Sequence, residues 1–129
     1  MQSVLASKPG SNYQADLGNN DTAKFNWYNS KLTFWLRVYS LTHITASRMR
    51  LGSSDGPIVA YLYGPTNGQS TGIIDIQGVI YADELRGPLH GKSVSALVTE
   101  MDKGNVWVDV ATKEQPYGAV DGHVYRKKA

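Results

Sequence analysis

Lys31-Leu32-Thr33-Phe34-Trp35-Leu36-Arg37-Val38-Tyr39 is the stretch on which the fold turns. Leu32, Phe34, Leu36 and Val38 alternate with Thr33, Trp35, Arg37 and Tyr39. A period of two sustained this long marks a strand with one buried face, because successive side chains leave a strand on opposite sides. The first set is expected to face a core, and the second leaves Trp35, Arg37 and Tyr39 outside.

The same rhythm continues downstream. Met49 and Leu51 hold the apolar phase in Arg48 to Leu51, but Ile44 shares parity with Arg48 and Arg50, so a bulge or a strand start is expected there. Ser53-Ser54-Asp55-Gly56-Pro57 reads as a turn, followed by a strand from Ile58 to Tyr63 with Ile58, Ala60 and Leu62 in phase and Val59, Tyr61 and Tyr63 opposite. Gly64-Pro65-Thr66-Asn67-Gly68 is another turn, Ile73 to Ile80 another strand, and Asp83 to Gly91 a loop. One short crossover helix is predicted near residues 93–103: Ser93 can cap it, Val94, Leu97, Val98 and Met101 share one face, and Gly104 ends it. Val106, Val108 and Val110 make the next strand, and Val120, Gly122 and Val124 the last.

Upstream, residues 1–30 are rich in Gly, Ser, Asn and Asp, with weak alternation at Tyr13 to Leu17 and Ala23 to Trp27. They read as one or two short edge strands joined by the Gly18-Asn19-Asn20-Asp21 turn, part of the same domain as a sandwich core over residues 31–126. About seven or eight antiparallel strands at spacings of about 8–12 residues define an all-β, two-sheet Greek-key sandwich. No internal repeat or linker interrupts it.

The 129 residues suffice for one domain with its own core. With 41% hydrophobic and 19% charged residues the chain is too apolar to be disordered. Net charge is +2, and the one basic cluster, Arg126-Lys127-Lys128, stands at the C-terminus, so nucleic acid is not an expected partner. There is no cysteine, which excludes disulfides and thiol chemistry. No apolar stretch approaches membrane-spanning length, so membrane insertion is not expected. Met1-Gln2-Ser3-Val4-Leu5-Ala6 does not read as a signal peptide, so an exported form is expected to have lost its signal already. Eight Tyr and three Trp outweigh two Phe, a skew that favours half-exposed contact surfaces.

Four ordered segments resemble the chordin (CHRD) domain family. Ile44-Thr45-Ala46-Ser47-Arg48-Met49-Arg50 with Gly56-Pro57-Ile58-Val59 is similar to that family's "ITAAHIH…GPVV". Gly78-Val79-Ile80 with Asp83-Glu84-Leu85-Arg86-Gly87-Pro88-Leu89 is similar to "G-x-I…dL-x-GPL". Gly104-Asn105-Val106-Trp107-Val108-Asp109-Val110-Ala111-Thr112 resembles "G-x-x-YVNVHT", and Pro116 to Val124 stands where the family has "P-x-GEIRGQI". The resemblance implies an immunoglobulin-like or superoxide-dismutase-like sandwich in a secreted or surface protein.

The departures from the family pattern lie on the outward phase. The "HIH" histidines fall on Arg48 and Arg50 and the "VHT" histidine on Ala111, while Asp109 replaces Asn, and Ala119 and Asp121 replace Glu and Arg. Two His at i and i+2 with a third from a neighbouring strand can hold a metal. Arginine has no lone pair to donate, so no metal site of that type and no cofactor are expected. Arg48 and Arg50 are expected instead to pair with Asp109 and Asp121 across neighbouring strands, each exposed pair contributing ~0.2–1 kcal/mol.

His43, His90 and His123 are the only histidines, and their spacing follows no metal-binding logic. No nucleophile elbow is present, and Asp83 and Glu84 are adjacent and point apart, so catalysis is not expected. The outward aromatics Trp35, Tyr39, Tyr61, Tyr63 and Trp107, with Arg37, form the expected binding surface. Their bland alternative is cover by the N-terminal segment or neighbouring strands. The leading expectation is a non-enzymatic extracellular or cell-surface module that binds a protein partner or itself, as a homo-oligomer or filament. A dismutase-like metal protein and a carbohydrate-binding module are the rivals.

Overall fold

The computed structural model describes residues 10–68 and 73–127. It is all-β: a five-stranded and a four-stranded sheet, every pairing antiparallel, with one helix. The strands are β1 (Ser11–Gly18), β2 (Asp21–Tyr28), β3 (Lys31–Val38), β4 (Ile44–Leu51), β5 (Ile58–Tyr63) and β6 (Ile74–Ile80), then β7 (Val106–Thr112), β8 (Val120–His123) and β9 (Tyr125–Lys127). Helix α1 (Val94–Asp102) precedes β7. One sheet runs β6-β3-β2-β1-β9 and the other β5-β4-β7-β8. The chain changes sheet after β3, β5, β6 and β8, and α1 makes the crossing from β6 to β7.

β3 is the strand its alternation predicts: Leu32, Leu36 and Val38 are fully buried, and Phe34 packs at the core margin. The N-terminal segment corrects the expectation. β1 and β2 are not short edge strands but eight-residue strands in the sheet interior, β2 between β1 and β3, and β1 flanked by β9. The reason is size. Ala15 and Ala23 face each other across β1–β2, both with no exposed surface, so a tightly packed seam is written in residues of little hydrophobic weight. Asn19 and Asn20 both adopt positive φ in the turn between them, as a two-residue hairpin whose twist matches its strands requires.

The expected β4 irregularity is a register shift between Ile44 and Ala46 against β7. The last predicted strand is two. β8 ends at His123 and β9 begins at Tyr125, in different sheets. Val124 makes the crossing, fully buried, its N–H donating to Val106 O at 2.9 Å. Among the described residues the strands thus number nine. Helix α1 buries Leu97, Val98 and Met101 in the core, although the Ser93 side chain does not cap it. One continuous apolar cluster draws on both sheets and α1.

Candidate functional site

Two outward faces carry the residues singled out in the sequence. On the four-stranded sheet, Arg48 stands opposite Asp109 and Arg50 opposite Trp107 on the neighbouring β7. Arg48 donates from Nε and Nη2 to both Asp109 oxygens, at 2.8 and 2.9 Å. Arg50 Nε donates to Asp109 Oδ2 at 2.7 Å, and Arg50 Nη1 to the Gly56 carbonyl at 2.8 Å. Two guanidiniums therefore share one carboxylate. Hydrogen bonding to Asp109 raises the Arg48 pKa above its ordinary value, against the opposing effect of burial.

This arrangement corrects two expectations. The cluster is enclosed, not exposed: the Arg48 and Arg50 side chains are 9% and 13% accessible and Asp109 2%. Asp121 takes no part. It stands opposite Asp109 across β7–β8, exposed and without an ion pair among the described residues. The like charge of its neighbour and its place one strand beyond the arginines account for that.

Ala111 lies on β7 beside Ala46, and both are buried. The Gly64–Gly68 turn packs against Thr45 and Ala46, with Thr66 N–H donating to Thr45 O. The three family histidine positions thus do share one face of adjacent strands. Among the described residues, however, no three His, Asp or Glu side chains converge as metal ligands. The histidines lie apart. His123 packs its ring 4.9 Å from Trp107 and bonds Gly104 O, while His43 lies 3.4 Å from Glu114.

On the five-stranded sheet, Arg37 is stacked between two rings, 4.9 Å from Trp35 and 5.1 Å from Tyr39. The Lys24 ammonium lies 5.8 Å from the Trp35 ring. Trp35 Nε1 donates to Asp75 at 2.5 Å, and Arg37 pairs with the same carboxylate at 3.6 Å. Asp75 and Lys24 escaped the sequence reading because only the β2–β3–β6 register brings them to Trp35 and Arg37. Among the described residues, the two buried side-chain atoms lacking any hydrogen-bond partner, Gln14 Oε1 and Arg37 Nε, both belong to this face.

Tyr61 and Tyr63 were expected on one outward face, and the structure separates them. The β4–β5 register skips Leu62, so Tyr61 stands opposite Arg48 and Tyr63 opposite Ser47. A bulge reverses the phase of the residues beyond it. Tyr63 consequently packs against the core, while Tyr61 lies under the Arg86 guanidinium at 4.8 Å.

The family model of the CHRD domain matches residues 7–124, nearly the whole chain. The chain belongs to the CHRD family. The match includes β1 and β2, upstream of the four motifs legible in the sequence. CHRD domains are β-sandwich modules that occur in extracellular proteins and are in general non-catalytic. Comparison with curated proteins and with solved structures gives no match. No helix among the described residues is long and apolar enough to cross a membrane.

Proposed function

We propose that this CHRD domain is a non-enzymatic extracellular binding module that docks a protein partner on the outer face of β2, β3 and β6. The observation that carries the reading is the Trp35–Arg37–Tyr39 stack with Asp75 and Lys24. Trp, Tyr and Arg are the side chains that most often dominate interface energetics. Here each is held in place by a neighbour, so little rotamer freedom is lost on docking.

A second copy of the chain is the first partner to test. Sedimentation equilibrium over a wide concentration range, for the unmodified chain and for Trp35→Ala and Arg37→Ala, separates the outcomes. Mass that rises with concentration and falls back in both variants supports self-association through this face. A strictly monomeric chain excludes self-association and leaves a different protein as partner. Association that both variants leave intact removes this face from the reading.

A carbohydrate is the second reading, and a separate place favours it. A groove of about 500 Å³ at the β2–β3 turn is walled by Trp27, Tyr81 and Val94 and edged by Asn29, Ser30 and Ser93. Aromatic walls with a few hydroxyl and amide groups suit a neutral polar ring. A glycan array with Trp27→Ala as control tests it, and an array without hits overturns it.

A further inference from the structure

We propose that the outer face of the four-stranded sheet carries an oxyanion site, built by Arg48, Arg50 and Arg86 around Tyr61, for a carboxylate, sulfate or phosphate group. The argument begins with charge. Arg48 and Arg50 are both largely enclosed and share the single carboxylate of Asp109. One positive charge is left over in a setting poor in water, where an unpaired ion is costly.

The donors are also only partly used. A guanidinium has five N–H groups. Arg48 spends Nε and Nη2 on Asp109, and Arg50 spends Nε on Asp109 and Nη1 on the Gly56 carbonyl. Arg48 also hydrogen-bonds Tyr61, whereas Arg50 Nη2 is left without a carboxylate partner among the described residues.

A third guanidinium stands over Tyr61 on the neighbouring strand β5. Arg86 is exposed, stacked on the Tyr61 ring at 4.8 Å, and in no ion pair among the described residues. Tyr61 stands opposite Arg48 in the β4–β5 register. The Arg86 backbone is pinned there, its N–H donating to Val59 O at 3.0 Å, so the stack is anchored to the sheet.

Charge is graded across the face. In the order β5-β4-β7-β8, Arg86 on Tyr61 comes first, then Arg48 and Arg50, then Asp109, and last the exposed Asp121. On the Arg86 side, Glu84 already accepts the Tyr81 N–H. An anion therefore approaches on the β4–β5 side, away from Asp121. Rigid guanidiniums suit planar and tetrahedral oxyanions better than chloride, because their forks match paired oxygens.

The test is a titration of the isotope-labelled chain with sodium sulfate at constant ionic strength, with chloride as the balancing salt, following the arginine Nε–H resonances. Saturable shifts at Arg50 and Arg86 are expected, with binding weakened about tenfold or more in Arg86→Gln, an exposed substitution that leaves the Asp109 pairs alone. Arg50→Lys keeps the charge, loses the fork and is expected to weaken binding as well. Shifts that never saturate, that chloride reproduces, or that survive Arg86→Gln unchanged overturn the site. Parallel titrations with acetate and phosphate identify the source: tighter acetate assigns a carboxylate, tighter sulfate or phosphate a tetrahedral ester.

Discussion

Asp109 is the residue on which the outer face of β4 and β7 depends. It accepts three guanidinium N–H bonds while 2% exposed. Asp109→Asn leaves two enclosed arginines without their counter-charge, and a loss of about 3–5 kcal/mol is expected in urea unfolding. Asp121→Asn is expected to change stability by no more than about 0.5 kcal/mol, and upward if at all, since it removes a like charge opposite Asp109. Equal effects of the two substitutions would contradict the shared-carboxylate geometry. Tyr13 offers a pH test. Burial, then its hydrogen bond to Asp102 at 2.6 Å, pushes its phenol up to about 12. A folded-state pKa above the unfolded value of about 10 stabilises fully below pH 10 and loses that contribution as pH rises through 12. Unfolding free energies measured from pH 9 to 12 should therefore fall more steeply for the unmodified chain than for Tyr13→Phe.

At the scale of elements, legibility followed the size and phase of side chains. β3 is plain in the sequence because Leu32, Leu36 and Val38 are large and regularly spaced. β1 and β2 are faint because their seam is Ala15 against Ala23. β5 misled for another reason: its Tyr61 and Tyr63 keep strict alternation in sequence, but a bulge against β4 sends them to different faces. Gly122 in β8 belongs to the same class of hidden constraint. A Cβ there would run into the Asp16 carbonyl oxygen of β1, with Leu17 Cδ2 at 3.2 Å behind it. Backbone cannot yield as a flexible side chain can. Gly122→Ala is expected to cost about 1–3 kcal/mol by overpacking, read from the shift of the urea midpoint. A midpoint that does not move would mean that β1 and β8 are not in close contact.

For the molecule as a whole, the two sheets and α1 contribute to one buried cluster, and β8 and β9 tie the sheets through the buried Val124. Neither sheet has an apolar face to itself. Unfolding is therefore expected as a single transition, with calorimetric and van't Hoff enthalpies equal and the N-terminal strands melting with the rest. An early separate melting of β1 and β2 would show that they do not share the cooperative core.

Alternation, turn residues and four short motifs were enough, by themselves, to establish an all-β two-sheet domain of CHRD type and to replace three family histidines by Arg48, Arg50 and Ala111. Those are local properties, written in the order and type of neighbouring residues. Strand register is not local. Only the tertiary structure decided that Asp109 takes both arginines while Asp121 takes neither, that Tyr63 turns inward, and that Arg86 comes to lie on Tyr61. Each of these arises from which strands are adjacent and where a bulge shifts their pairing, and that is set by how the whole core packs.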